Sequence, residues 1–139
     1  MKLVYILAVI FVFMIMSIRQ TYEYNELMHR YALLRAELKK EGIFPELWDP
    51  IPVTEMSSIS PDGVGYNVGK GYEIFICTDG PINSIMHVFI HELTHNTVTE
   101  YDHSSQFWDN FEILKDVAKK IGIYQYTPPQ MFCGAKIGD

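Results

Sequence analysis

The chain has 139 residues and a net charge of −6, with 11 lysines and arginines against 17 aspartates and glutamates. With an apolar leader set aside, about 120 residues remain, enough for one small domain. Two cysteines exclude a disulfide-dense scaffold, and the acidic balance, with no basic footprint, argues against a nucleic-acid partner.

Leu3 to Ile18 is an uninterrupted uncharged run rich in Val, Ile, Leu, Phe and Met, with Lys2 before it and Arg19 after. As a helix it covers roughly 24 Å, a little short of a hydrocarbon core of about 30 Å. A signal peptide has the same basic start and apolar middle, but no small-x-small cleavage site follows Ser17. An uncleaved transmembrane anchor or signal-anchor over residues 1–20 is therefore favoured, giving a single-pass membrane protein, or a secreted one if the segment is cleaved. Positive charge is nearly balanced across it, so orientation is not readable.

Tyr22 to Glu41 reads as an amphipathic helix with Leu27, Tyr31, Leu34 and Leu38 on its packing face. His29 on this helix is read as a surface or interface residue. Gly42 to Pro52, with three prolines, is a connector that Trp48 pins to the core. Gly63-Val64-Gly65-Tyr66-Asn67 and Gly71 to Cys77 read as two short strands around a Gly-Lys-Gly turn.

Asp79-Gly80-Pro81 is a helix start signal. Ile82, Ile85, Met86, Phe89, Ile90 and Leu93 then recur at helical spacing. On this helix lies His91-Glu92-Leu93-Thr94-His95. Two histidines four apart share one helix face and reach one metal ion, and Glu92 is placed to take a proton from water bound to that metal. Catalytic zinc takes three protein ligands. His103 is the expected third, because Thr97, Val98, Thr99 and Tyr101 are mediocre helix formers that let the chain turn back. Glu100, Asp102 and Glu112 are the alternatives. His87 extends the same face, but three ligands in line would span about 12 Å. It is read as a wall or supporting group.

Ser104 is an N-cap for a helix whose apolar face is Phe111, Leu114, Val117, Ala118 and Ile121, closed by Gly122. Tyr101, Tyr124, Tyr126 and His87 are possible oxyanion donors. Asp79, Asp102 and Asp109 are possible acceptors for the ligand imidazoles. Cys77 and Cys133 either pair, in an oxidising compartment, or stay as buried thiols.

The glycine-Asn67 strand pair, the HELTH helix with Asn96 after it, and His103 with Phe107 four later resemble the WLM metalloproteases, which are related to the SprT-like group. The matched pieces run from about Val53 to Ile121. The segments Gly122-Ile123-Tyr124 and Phe132 to Ile137 look like versions of the domain found in large DNA viruses. The WLM pattern places the third histidine six residues after the second and follows it with aspartate; here the spacing is eight and Ser104 follows. The resemblance implies an α+β, minimal zincin-like domain over residues 21–139, a small sheet with the active-site helix and flanking helices. It further implies Zn2+ held by His91, His95 and His103, with Glu92 catalytic. The expected function is hydrolysis of peptide bonds in a peptide or protein substrate, with contact to a membrane through residues 3–18. Two other classes are a non-catalytic zinc-binding membrane or virion structural protein, which intact Glu92 argues against, and a DNA-protein crosslink repair protease, which the charge balance resists. Oligomeric state is not readable.

Overall fold

The computed structural model describes residues 1–56 and 63–139, and the side chains of 19–21, including the basic flank Arg19, lie outside the described residues. The apolar leader segment and the amphipathic helix form one helix, α1 (Lys2–Glu41), because nothing between them breaks a helix. The two halves differ in surroundings. Leu3 to Ile18 is exposed along its length, and α1 as a whole is long and apolar enough, by length and composition, to cross a membrane, whereas Leu27, Tyr31, Leu34 and Leu38 are buried. Gly42 ends α1 in the left-handed region (φ 71°), with the Ile43 amide bonded back to Leu38 O at 3.1 Å.

The connector carries a 3-10 turn, Pro45–Leu47, which the prolines alone do not announce. Leu47 is the buried pin, and half-buried Trp48 donates its ring N–H to Ile43 O at 2.8 Å. Two tyrosines of α1 strap the connector down: Tyr31 Oη accepts from the Ile51 amide, and Tyr24 Oη donates to Val53 O, both at 2.9 Å.

A three-stranded sheet follows: β1 (Val53–Met56), β2 (Gly65–Val68) and β3 (Glu73–Cys77), in the order β1-β3-β2. β3 pairs parallel with β1 and antiparallel with β2. β1 adds a strand to the two read from the sequence. The central helix α2 (Ile82–Thr94) packs on β2 and β3 on one side and on α1 and α3 (Ser105–Lys120) on the other. It is therefore buried nearly all round. Pro81 occupies its cap position and no side chain caps it, so Asp79 lies outside the helix. Ser104 does cap α3, accepting from the Phe107 amide at 3.1 Å.

A hairpin closes the domain: β4 (Gln130–Phe132) and β5 (Ala135–Ile137), joined by Cys133-Gly134, both at positive φ as a tight primed turn demands. A disulfide between Cys133 and Cys77 ties the hairpin to the end of β3. The architecture is a small mixed α+β domain, as the strand and helix signals anticipate.

Candidate metal centre

Local sequence chemistry sets the ligand geometry. α2 ends at Thr94 and passes into a 3-10 turn, His95–Thr97, so the two motif histidines stay one turn apart. The chain then reverses. Lys70, at the tip of the β2–β3 turn with φ 51°, donates its ammonium to the carbonyls of His95, Val98 and Glu100 at 3.0, 3.0 and 2.5 Å. One cation thus gathers the orphan acceptors of the reversal and fixes the loop that delivers His103. Asn67 braces it from β2, donating to Glu92 O at 3.0 Å and to Asn96 Oδ1 at 2.5 Å, while its own oxygen accepts from the Gly71 amide.

The result brings His91, His95 and His103 together, one nitrogen of each lying within 4.8 Å of the others. His95 Nε2 and His103 Nε2 are 3.3 Å apart, which matches the edge of a tetrahedron with zinc–nitrogen bonds of about 2.0 Å. Burial, reinforced by the neighbouring imidazoles, holds His91 down at about 3. Burial, then His103 and Lys70, hold His95 at about 4. Both rings are neutral at pH 7, with lone pairs available for a cation, so the donor set fits a zinc ion. Phe107, fully buried, packs on all three imidazoles with ring centroids 4.6–5.0 Å away.

The alternative third ligands point elsewhere. The Glu100 carboxylate accepts from Ser104, Glu112 pairs with Lys115 on α3, and Asp102 is exposed. No hydrogen bond joins Asp102 or Asp109 to the three histidines among the described residues; the rings are packed by Phe107 instead. Of the possible oxyanion donors, Tyr101 borders the histidines, Tyr126 is exposed and lines neither cavity described below, and the Tyr124 hydroxyl is engaged elsewhere. His29 is exposed, as expected.

Glu92 is buried, and burial pushes its carboxyl up to about 7. It lies where two cavities meet. One, of about 320 Å³, is bordered by Asn67, Lys70, His95, Tyr101 and His103. The other, of about 580 Å³, is walled by Val88, Trp108, Phe111, Ile137 and, as expected of a wall residue, His87. Behind His87 runs a buried polar chain absent from the sequence reading. His87 Nδ1 meets Tyr124 Oη at 2.8 Å, Tyr124 donates to Asp139 Oδ2 at 2.7 Å, and Lys115 donates to Asp139 Oδ1 at 2.5 Å. Burial keeps His87 below the ordinary imidazole range against the pull of Asp139.

The WLM domain family model matches residues 48–139. The chain belongs to the WLM domain family. This WLM chain is 31% identical over 93 residues to uncharacterized protein R325 of Acanthamoeba polyphaga mimivirus, covering 58% of the chain and 47% of that protein. The chain thus spans about half the length of the curated relative it matches. Its fold is similar to two crystal structures of Wss1 from Saccharomyces cerevisiae. One aligns at TM-score 0.53 and 22% identity over 71% of this chain and 76% of Wss1. The other, a Wss1 mutant, aligns at TM-score 0.54 and 20% identity over 75% and 83%. At that identity the likeness speaks for the fold, and the family match supports a metalloprotease-type domain.

Proposed function

We propose that this WLM domain is a minimal zincin, a zinc-dependent peptidase tethered by the apolar half of α1. The observation that carries this reading is the position of buried Glu92 beside three converging imidazoles, at the junction of two open cavities. His91, His95 and His103 would hold the ion. When bound, zinc supplies a Lewis acid that polarises a carbonyl and brings the acidity of water toward neutral pH.

The protein's own groups do the rest. An extended peptide adds to the outer edge of β2, which has no strand partner among the described residues. Glu92 takes a proton from the attacking water and passes it to the leaving amine. Its raised affinity for a proton, set by burial, suits it to both roles. Tyr101, at the histidine side of the cleft, is the donor best placed for the developing oxyanion. The exposed apolar half of α1 supports a membrane location, and the Cys77–Cys133 disulfide supports a domain that faces an oxidising compartment.

The test uses the purified full chain in detergent with a fluorogenic protein substrate. Cleavage should disappear with a chelator, return with zinc, and fall by about 10²–10⁴ in Glu92→Gln while zinc is retained. Full activity in Glu92→Gln would remove the mechanism.

A further inference from the structure

The larger cavity beside Glu92 has a chemical character that the catalytic reading leaves unused. Its walls are apolar, from Val88, Trp108, Phe111 and Ile137, and its floor carries the polar edge of His87. The hydrogen-bond chain behind His87 sets which proton that edge bears. The Asp139 carboxylate has no proton to give, so the single hydroxyl hydrogen of Tyr124 goes to it. The Tyr124 oxygen must then accept from His87 Nδ1–H. A neutral imidazole with its proton on Nδ1 offers a bare lone pair at Nε2. That nitrogen has no hydrogen-bond partner among the described residues, and the cavity is the open space His87 lines. The floor is a hydrogen-bond acceptor inside an apolar collar.

Strand direction says which substrate residue arrives there. The chain enters β2 from Val64, which borders the larger cavity alone, and runs through Gly65, which borders both, towards Asn67 and the Lys70 turn, which border the smaller one. A chain added antiparallel to β2, the commoner pairing, travels from the smaller cavity past Glu92 into the larger. The side chain immediately after the scissile bond therefore enters the apolar collar. A volume of about 580 Å³ admits a large ring. Exposed Lys136 at the rim repels lysine and arginine, and an ionised carboxylate has no hydrogen to give an acceptor at the floor.

We infer that His87 is a specificity-determining residue, and that the cavity selects substrates with a tyrosine, an aromatic body with a terminal donor, directly after the cleaved bond. This rests on the peptidase reading above. A phenylalanine fills the collar but leaves Nε2 unpaired. A single hydrogen bond of ordinary strength makes tyrosine the better substrate by about 5–10-fold in kcat/KM.

The experiment gives the full zinc-loaded chain in detergent a random peptide library, with cut sites read by mass spectrometry. Matched peptides carrying Tyr, O-methyltyrosine, Phe or Lys after the bond are then compared. Expected are tyrosine enrichment after the bond, a loss of about 5–10-fold for both O-methyltyrosine and Phe, and little cutting before Lys. In His87→Leu the Tyr-to-Phe ratio should fall towards one, and peptide binding to Glu92→Gln should show the same ranking without turnover. Equal rates for Tyr and O-methyltyrosine, enrichment before the bond instead of after it, or a preference that survives His87→Leu would overturn the inference. Should His87→Leu not fold, the O-methyltyrosine comparison on the wild type decides alone. Zinc-dependent cleavage with flat selectivity removes this inference only, whereas no cleavage of any peptide removes the peptidase reading and this with it.

Discussion

Glu92 is a buried carboxyl group beside three imidazoles, two of which, His91 and His95, burial keeps neutral. Keeping such groups together opposes solvation, and folds retain that arrangement mostly at functional sites. Asp139 shows the opposite case, a buried carboxylate made comfortable. Burial raises its affinity for a proton, but Lys115, the Thr127 amide and Tyr124 together outweigh burial and hold it at about 2, against an ordinary 3.8. A depressed carboxyl stabilises the fold above its unfolded value and loses that contribution as pH falls through the folded one. The melting temperature of wild type should therefore exceed that of Asp139→Asn fully at about pH 5, with the gap closing as pH drops towards about 2. A gap that persists at the lowest pH would mean that Asp139 stabilises without its charge.

At the scale of elements, the site depends on how the β2–β3 turn grips the end of α2. Gly71 sits at φ +102°, and a Cβ there would lie 2.5 Å from Asn96 Nδ2. Gly71→Ala should cost about 1–3 kcal/mol through backbone strain and displacement of the Asn67–Asn96 bridge. A thermal melt alongside zinc-binding affinity checks this, and an unchanged melt would mean the turn relaxes freely. Features carried by nearby residues were legible beforehand: the HELTH face, the Ser104 cap, the Gly122 stop, and the apolar stripes of α1 and α3. Features made by distant residues were not. β1 is four residues long behind prolines and exists only because β3 offers a parallel partner. Lys70 in its Gly-Lys-Gly turn gave a signal for a turn but none for the carbonyls it would meet. The His87–Tyr124–Asp139–Lys115 chain joins α2, α3 and the segment after α3, so no local pattern announces it.

At the scale of the whole molecule, α1 would be both anchor and scaffold, since one helix presents an exposed apolar half and a half buried in the domain core. The active domain would thus be held close to the bilayer surface with little slack. The full chain should remain in the membrane pellet after alkaline extraction, and recovery in the supernatant would contradict the anchor. The net charge of −6 gives no electrostatic reason for nucleic-acid binding.

The three converging histidines would together hold one metal ion. Elemental analysis of the full chain tests this most directly, comparing wild type with His103→Ala. About one zinc per chain is expected in wild type and a sharp loss in the variant, with the fold retained by circular dichroism. Well-folded wild type without zinc, or full stoichiometry in His103→Ala, would contradict this.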